Sequence, residues 1–383
     1  MKKILAMLLA LVMVLGLAAC GAPAAEAPAA SEAAYKVAMV TDYGDITDQS
    51  FNQTTYEACK AYAEANNVEF TYYKPAGDSD AERVAMIEKA VDEGYNVIVL
   101  PGFAFAAAIA TAAPQYPDVK FIALDVSEFD LTSAGLTAET MTNVYSAVYQ
   151  EELSGYMAGY AAVKLGYTKL GFLGGMAVPA VQKFGYGFVQ GADAAAKELN
   201  ITVDMNYIYG GLFYGTADIT AVMDTWYQGG TEVVFACGGG IYTSAVDAAK
   251  KVEGAKVIGV DVDQAGVIAN YAGMSDKSLT VTSAMKGLYP TTVDTLTDVI
   301  NNGNWAKYAG KVATLGLVSG DDPTANYVQI PMESTQWSDT FTQDDYKAMV
   351  KAMFDGTIVV SGDVSAEPAV TNVNVDYQGQ IVG

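Results

Sequence analysis

The sequence predicts an α/β protein with two lobes, each a doubly wound parallel sheet covered by helices. Short apolar segments rich in Val, Ile and Phe alternate with amphipathic helical patterns, which is typical of right-handed βαβ units. This alternation occurs in two consecutive series along the chain. The 383 residues also exceed a typical domain of about 100–150 residues, so two lobes are expected.

The chain begins with a segment typical of exported proteins. Lys2 and Lys3 precede an apolar run over residues 4–17, and residues 17–20 read Leu-Ala-Ala-Cys. This pattern predicts a signal peptide over residues 1–19 rather than a membrane span. The ending resembles a bacterial lipobox, which implies cleavage before Cys20 and lipid on its sulfur. An ordinary signal peptide with an incidental cysteine is the alternative.

Residues 20–34 are rich in Ala, Pro, Glu and Ser, a composition that favours a flexible tether. No later segment is long and apolar enough in sequence to span a bilayer. We therefore expect a folded body anchored through Cys20 on the extracytoplasmic face of a bacterial cell membrane.

The first βα series predicts one lobe over residues 35–143. Its apolar runs are short and end at polar residues or glycine, as buried parallel strands do. Strands are expected at residues 36–41, 68–73, 96–100 and 120–124, and helices at 51–66, 80–93 and 103–115.

The second series predicts the other lobe. Residues 145–165 carry closely spaced small residues and are interpreted as its first helix. Further strands are expected at 169–173, 202–209, 232–236 and 256–260, and further helices at 179–199, 217–228 and 242–252.

The remaining residues are less regular, and such a tail can cross between lobes as a hinge with more than one connection. The expected lobes are 35–143 plus 285–310 and 144–284 plus 311–383, with the placement of the tail left open. Strands are expected at 278–284, 311–318, 325–330 and 357–360, and helices at 286–302 and 343–354.

Charge and composition exclude several classes of function. The formal net charge is −23, Arg83 is the single arginine, and there is no histidine. Nucleic-acid binding needs clustered Lys and Arg, which this chain lacks. Without histidine there is no Ser-His-Asp, Cys-His or His-metal site. Carboxylate pairs could serve a glycosidase or a calcium site, but Asp42, Asp45 and Asp48 do not have the EF-hand spacing. We expect no enzyme, metal or cofactor. Cys59 and Cys237 are expected to be buried free thiols rather than a disulfide.

Carboxylates occur where predicted strands end. Asp42 follows the first strand, Asp125 follows the strand at 120–124, and Asp261 follows the strand at 256–260. Ligands of open α/β sheets bind at the carboxyl ends of the strands, and carboxylates accept hydrogen bonds from diols such as a ribose. The alternative for Asp42 and Asp125 is a helix N-cap or a solvated loop.

Aromatic residues at the same edges can bind a planar ring or belong to the core. Phe51 begins the first helix and can stack on a base or pack as a hydrophobic staple. Its neighbour Asn52 can bond the ligand or support the loop. Phe184 and Phe213 are equal candidates for the opposite wall, with core packing as the alternative for each.

Two further features complete the candidate site. Gly239 lies within three glycines that follow a buried strand, where the backbone can approach a ligand closely; no phosphate-binding motif is completed there. Lys286 follows a strand near the expected hinge. It can donate to a ligand, or it can form a salt bridge with Asp261 that has no role in binding.

Residues 48–53, Asp-Gln-Ser-Phe-Asn-Gln, resemble the D-K-S-F-N-Q signature of the basic membrane protein family. The resemblance extends over about residues 36–360. Two departures are Gln49 in place of the lysine, and residues 43–48 where the family often has G-G-I-D-D. Further matching segments lie at residues 123–125, 152–162, 171–176, 184–188, 238–240, 258–264 and 283–286.

The resemblance implies a type I periplasmic-binding-protein fold, with two lobes, three crossovers and the ligand in the cleft between them. It also implies a purine-nucleoside receptor-like lipoprotein that serves the permease and ATPase of an ABC importer, and we expect a monomer. Phe51 would stack on the base, Asp42 and Asp125 would hold the sugar, and Asp261 and Lys286 would read the base. The expected ligand-binding residues are Asp42, Phe51, Asn52, Asp125, Phe184, Phe213, Gly239, Asp261 and Lys286.

Three other functions stay open from the sequence. One is a receptor for another small solute, such as a sugar or a flavin-like ring, which aromatics on both faces of a slot would distinguish. Another is a surface hydrolase of glycans or nucleosides, in which a carboxylate pair would flank the scissile bond. The last is a sensory or adhesive surface protein with no transport role.

Overall fold

The computed structural model describes residues 34–137 and 139–382. The signal peptide expected at residues 1–19, the lipidation expected at Cys20 and the tether up to residue 33 lie outside the described residues.

The described residues form alternating strands and helices, as the sequence predicts. The strands are β1 (Lys36–Val40), β2 (Glu69–Tyr73), β3 (Val97–Pro101), β4 (Lys120–Leu124), β5 (Val144–Tyr149), β6 (Lys169–Gly174), β7 (Val203–Tyr209), β8 (Val233–Cys237), β9 (Lys256–Asp261), β10 (Thr280–Lys286), β11 (Lys311–Leu315), β12 (Val328–Gln329) and β13 (Val373–Gln380). The α-helices are α1 (Phe51–Asn66), α2 (Asp80–Asp92), α3 (Ala106–Ala112), α4 (Glu128–Ser133), α5 (Glu151–Lys164), α6 (Pro179–Leu199), α7 (Ala217–Gln228), α8 (Tyr242–Ala249), α9 (Ala265–Ala272), α10 (Leu288–Leu296), α11 (Trp305–Tyr308) and α12 (Gln343–Phe354).

The strands assemble into two sheets, one for each lobe. The first is six-stranded with the order β11-β5-β4-β3-β1-β2, and all of its pairs are parallel. The second is seven-stranded with the order β12-β10-β9-β8-β6-β7-β13. Only the short β12 is antiparallel to its neighbour. The central strands β3 and β8 are buried along their whole length, as parallel strands covered on both faces must be.

The chain passes between the two sheets three times. It leaves the first sheet after β5 and enters α5, returns after β10 into α10, and crosses again between β11 and β12. The segment after β10 packs on α1, since Tyr62 donates a hydrogen bond of 2.6 Å to Asn301. Three crossings at one side form a hinge that allows the lobes to open and close.

The structure corrects the expected lobe boundaries at two segments. Residues 144–149 form β5 in the first sheet rather than the start of a helix in the second lobe, and residues 311–315 form β11 beside them. Val144–Tyr149 contains two valines and two tyrosines, which favour a strand, and pairing with both neighbours satisfies its backbone.

The tail also differs from the prediction. Residues 357–360 form no strand, whereas Val373–Gln380 pairs in parallel with β7 at the edge of the second sheet. Helix α12 packs against the second lobe, because Tyr346 donates to the Met157 sulfur of α5 and accepts from the Ile330 amide. The chain from β12 to β13 therefore adds to the second lobe.

Helices α5 and α6 lie unusually close together in the second lobe. A Cβ atom at Gly159 would be 2.1 Å from the Phe188 carbonyl oxygen, and one at Gly191 would be 2.0 Å from that of Tyr156. Glycine is needed at both positions because the two backbones approach within contact distance. This packing fixes α5 and α6, whose first turns reach the cleft.

Among the described residues, no helix has the length and apolar character that crossing a membrane requires. Cys59 and Cys237 are both buried and free, as the sequence predicts.

Candidate functional site

A cavity of about 390 Å³ lies between the lobes at the carboxyl ends of the strands. All the residues expected to bind ligand line it, because each follows or ends a strand of one of the two parallel sheets. These residues are Asp42, Phe51, Asn52, Asp125, Phe184, Phe213, Gly239, Asp261 and Lys286.

Asp42 is buried at the end of β1. Its Oδ1 accepts hydrogen bonds from the amides of Tyr43 and Gly44, at 2.6 and 2.7 Å. Burial raises the pKa of the carboxyl, and these two donors oppose the rise. Gly102 approaches from β3 with φ of +125°, and a Cβ there would be 2.8 Å from Asp42 Oδ2. Glycine at 102 thus leaves room for the carboxylate.

The first turn of α1 is organised by Asp48. Its carboxylate accepts from the amides of Ser50, Asn52 and Gln53 at 2.9–3.1 Å, and so satisfies donors that have no partner within the helix. Burial nevertheless raises the pKa of Asp48 to about 6. The side-chain nitrogen of Asn52 also donates to Asp48, with 3.2 Å between Nδ2 and Oδ2. Its buried Oδ1 has no hydrogen-bond partner among the described residues.

Lys286 lies at the centre of a buried group of three carboxylates. Its ammonium pairs with Asp125, lies 3.4 Å from Glu151 Oε1 and lies 3.9 Å from Asp261 Oδ1. Burial lowers the pKa of Lys286, but the three carboxylates together raise it above its ordinary value. The ammonium also lies 4.8 Å from the centroid of the Phe51 ring. Lys286 therefore links the carboxylates to the aromatic wall.

Asp125 and Asp261 hold equivalent positions in the two lobes. Both stand at strand ends with left-handed backbones, at φ of +61° and +65°, a conformation that costs a non-glycine residue roughly 1–2 kcal/mol. Both turn a carboxylate toward Lys286. The buried Oδ1 of Asp125 has no hydrogen-bond partner among the described residues, so an acceptor remains available inside the cavity.

Glu151 is a cavity residue that the sequence reasoning missed. It begins α5 directly after β5, is 2 % exposed, and pairs with Lys286 and, at 3.8 Å, with Lys183. Burial raises the pKa of Glu151 to about 8, and Asp125 adds to the rise while the two lysines oppose it. Correct recognition of β5 as a strand would have placed Glu151 at a carboxyl end.

The two phenylalanines of the second lobe differ in their surroundings. Phe184 is 2 % exposed and packs edge-on against Phe235, with 6.1 Å between ring centroids. Phe213 is half-buried and covers Gly175 and Gly238, where a Cβ would be 2.4 and 2.9 Å from its ring. Phe184 is thus mainly a core residue, and Phe213 presents more of its ring to the cavity.

Gly239 has φ of +51°, and a Cβ there would be 2.9 Å from the Phe213 carbonyl oxygen. The glycine lets the loop after β8 lie against the Phe213 segment.

Direct bonds join the lobes at the rim of the cavity. Ser50 donates to Asp261 with 2.5 Å between Oγ and Oδ2. The Gln264 side chain donates to the Gln49 carbonyl at 3.1 Å, and the Tyr43 hydroxyl donates to the Met176 sulfur at 3.2 Å. These contacts hold the two lobes closed over the cavity.

Within residues 34–137 and 139–382, no group of three or more Cys, Asp or Glu residues is arranged to hold a metal ion. The carboxylates around Lys286 are already neutralised in part by an ammonium group.

The chain belongs to the family of PnrA-like substrate-binding proteins of ABC transporters, Bmp, whose model matches residues 35–356. It is a binding protein and not an enzyme, with a small-molecule ligand and an ABC transporter as partners, and family membership implies an extracytoplasmic location. The resemblance noted in the sequence is thereby confirmed.

Three relatives illustrate the similarity. The ABC transporter nucleoside-binding protein BmpA of Lactococcus lactis is 28 % identical over 299 residues, which cover 74 % of this chain and 80 % of the relative. Basic membrane protein A of Borreliella burgdorferi is 29 % identical over 233 residues, covering 60 % and 64 %. An uncharacterized lipoprotein of Pyrococcus furiosus is 26 % identical over 333 residues, covering 82 % and 77 %.

Solved structures confirm the fold class. An ABC transporter solute-binding protein of Aeropyrum pernix has a TM-score of 0.65 at 21 % identity, with 85 % of this chain and 87 % of that chain covered. One from Conexibacter woesei has a TM-score of 0.63 at 20 % identity, covering 86 % and 99 %. The predicted fold, with two doubly wound lobes and a cleft, is correct.

Proposed function

We propose that this protein is the receptor of an ABC importer for a nucleoside, most simply a purine nucleoside. The nucleoside would bind in the cavity between the lobes, and the closed form would deliver it to the permease. Anchoring through lipid at Cys20 and a monomeric state are part of the same proposal.

The observation that carries the proposal is the unpartnered Oδ1 of Asp125 inside the cavity. A buried carboxylate oxygen without a donor costs free energy, and a ligand with hydroxyl groups removes that cost. The unpartnered Asn52 Oδ1 is a second buried acceptor on the same side. Together they favour a ligand rich in donors, such as a ribose and an amino-bearing base.

The aromatic residues favour a ligand with a flat ring. Phe51 from the first lobe and Phe213 from the second both line the cavity, which is the arrangement expected for a ring held between two walls. A pyranose sugar can contact such walls only through its C–H groups, whereas an aromatic base offers a π-face to each wall. The name of the lactococcal relative, a nucleoside-binding protein, agrees with this preference.

Charge favours a nucleoside over a nucleotide. Asp42, Asp125, Glu151 and Asp261 line the cavity together with Lys286 and Lys183. A phosphate would meet an excess of carboxylates, whereas an uncharged nucleoside would not.

A thermal-shift screen tests the proposal with the purified protein. Adenosine, guanosine, inosine, uridine and cytidine are compared with free bases, sugars and flavins. We expect at least one nucleoside to raise Tm, since a ligand that binds only the folded state stabilises it by mass action. Inosine monophosphate is the matched control and should give a smaller shift than inosine. A shift with sugars or flavins and none with nucleosides would refute the proposal.

A further inference from the structure

The charges around Glu151 sit on the hinge as well as in the cavity. Glu151 follows the first crossover, out of β5, and Lys286 precedes the second, out of β10. Their pairing at 3.4 Å therefore joins two of the three strands that connect the lobes. Asp125 belongs to the first lobe and Asp261 to the second, so these two carboxylates come together only when the lobes close.

We propose that Glu151 takes up a proton from solvent when the two lobes close over the cavity. The proposal rests on the proposed function only in taking the cleft as the site that closes over ligand.

The closed cleft holds more carboxylates than ammonium groups. Three carboxylates, all of them at most 10 % exposed, share the ammonium of Lys286. A second ammonium, that of Lys183, lies 3.8 Å from Glu151, so the carboxylates still outnumber the cations. Like charges brought together in a desolvated site cannot all stay ionised without a large cost in free energy. One proton on a carboxylate removes most of that cost.

Geometry selects Glu151 as the carboxyl that takes the proton. Asp125 holds the closest contact to the ammonium, and Asp261 has the hydrogen bond from Ser50 at 2.5 Å. Burial raises the pKa of Asp261, but Lys286 and the hydrogen bond from Ser50 oppose that rise. Glu151 has only longer ion pairs, at 3.4 Å to Lys286 and 3.8 Å to Lys183.

The direction of the pH dependence follows from linkage. In the closed form burial raises the pKa of Glu151 to about 8, and opening removes Asp125 and admits water, which brings the pKa back toward its usual range. The closed form then binds more protons than the open form between the ordinary pKa of a glutamate, about 4.5, and about 8. Closure must weaken by at most about tenfold per pH unit, for one proton, as pH rises toward about 8, and the effect must level off above that pH.

Several titratable or charged groups surround Glu151. Those that face it directly are Lys286 from β10, Lys183 from α6, Asp125 after β4 and Cys237 from β8. Asp261 and Tyr149 lie on the other side of Lys286.

Asp48 also titrates in this range, with a pKa of about 6. Its hydrogen bonds all run to Ser50, Asn52 and Gln53 within the first lobe. Opening leaves those bonds in place but exposes the carboxylate, which lines the cavity. Asp48 is unchanged in Glu151→Gln, so that variant separates its contribution from that of Glu151.

The test measures closure in the absence of any nucleoside, so its failure is separate from failure of the proposed function. Nitroxide labels are attached to Lys60→Cys in α1 and to Glu253→Cys in the second lobe. Pulsed electron paramagnetic resonance then measures the distance between the two labels. Native Cys59 is fully buried, and Cys237, which lines the cavity, is replaced by alanine in all samples so that it takes no label. In the protein with Glu151 unchanged, we expect the ratio of closed to open molecules to fall between pH 6 and 8. The fall should be severalfold for each pH unit and at most about tenfold.

Two variants and one control complete the test. Glu151→Gln mimics the protonated side chain and should keep the closed fraction high and independent of pH. Lys183→Met removes an opposing cation and should move the levelling-off to higher pH. Glu152→Gln alters the adjacent buried carboxyl, which does not line the cavity, and should leave the profile unchanged. A flat profile from pH 5 to 9 with Glu151 present, or an unchanged profile in Glu151→Gln, overturns the proposal. If Glu151→Gln does not fold, the pH profile of Lys183→Met provides the test. A Lys183→Met profile that is not shifted from that of the unmodified protein overturns the proposal.

Discussion

Ser50 and Asp261 are joined across the cleft by a hydrogen bond of 2.5 Å between Oγ and Oδ2. Ser50 precedes α1 in the first lobe, and Asp261 ends β9 in the second. Both residues are buried, so the bond is shielded from water. It exists only in the closed form, which makes it a contact that ligand-induced closure can use.

Ser50→Ala should therefore weaken nucleoside binding. In the closed form Asp261 Oδ2 would lose its donor while buried, which costs about 1–3 kcal/mol, whereas in the open form water replaces the serine. Calorimetry should show the Kd of the bound nucleoside rising by roughly fivefold to a hundredfold.

Ser244→Ala is a suitable control, because Ser244 is equally buried but bonds only within the second lobe, to Thr216 and Thr220. It should lower Tm without changing Kd. An unchanged Kd in Ser50→Ala would mean that the bond adds nothing to closure.

Asp125→Asn should reduce binding strongly while the fold persists. Asparagine tolerates the left-handed backbone at φ of +61° better than alanine, and Lys286 keeps Glu151 and Asp261 as partners. The ligand loses a charged acceptor, worth about 1.5–3 kcal/mol, so calorimetry should show a rise in Kd of at least about tenfold.

The matched control is Asp263→Asn. Its carboxylate accepts from the Ala265 amide at 3.1 Å and does not line the cavity. Equal affinity in Asp125→Asn and in the control would exclude Asp125 from the binding site.

The candidate site could be predicted largely because it follows from one rule about parallel sheets. Asp42, Asp125 and Asp261 each come at the end of an apolar run in the sequence, and such ends meet at one edge of the sheet. The strands themselves are recognisable because both faces are buried and their residues are continuously apolar. When the carboxyl ends of two such sheets face each other, the residues expected to bind ligand lie around one cavity.

Glu151 and the edge strand could not be predicted, for different physical reasons. The small residues of 144–165 suit a helix as well as a strand, and only the parallel pairing of Val144–Tyr149 with β4 and β11 decides. Because this strand was not predicted, Glu151 was not recognised as a residue that follows the carboxyl end of a strand. Val373–Gln380 is mostly polar and has no apolar run, so its strand state depends on the register with β7, which is a tertiary interaction.

Phe213→Ala and Phe184→Ala should separate the two candidates for the second aromatic wall. Phe213 is half-buried beside Gly175 and Gly238, so its loss should raise Kd by roughly fivefold, as loss of about 1 kcal/mol of stacking predicts. Phe184 is 2 % exposed, so its truncation leaves a core cavity that costs about 3–5 kcal/mol of folding free energy. Calorimetry and denaturant unfolding measure the two effects.

The opposite pattern would reverse the assignment. A stable Phe184→Ala protein that no longer binds nucleoside, together with a Phe213→Ala protein of normal affinity, would make Phe184 the stacking wall.

Gly159→Ala should destabilise the second lobe through the contact between α5 and α6. The added Cβ would lie 2.1 Å from the Phe188 carbonyl oxygen, a backbone atom of a buried helix that cannot rotate away. Overpacking costs about 1–3 kcal/mol, which exceeds the gain of up to about 1 kcal/mol from replacing a helical glycine. Tm should fall by a few degrees, since 1 kcal/mol lowers Tm by roughly 2–4 °C or less in a chain of this size.

Gly77→Ala is the control, because a Cβ at Gly77 meets no atom within 4 Å, and the Tm of this variant should not change. If Gly159→Ala melts at the same temperature as Gly77→Ala, the two helices do not approach as closely as the structure places them.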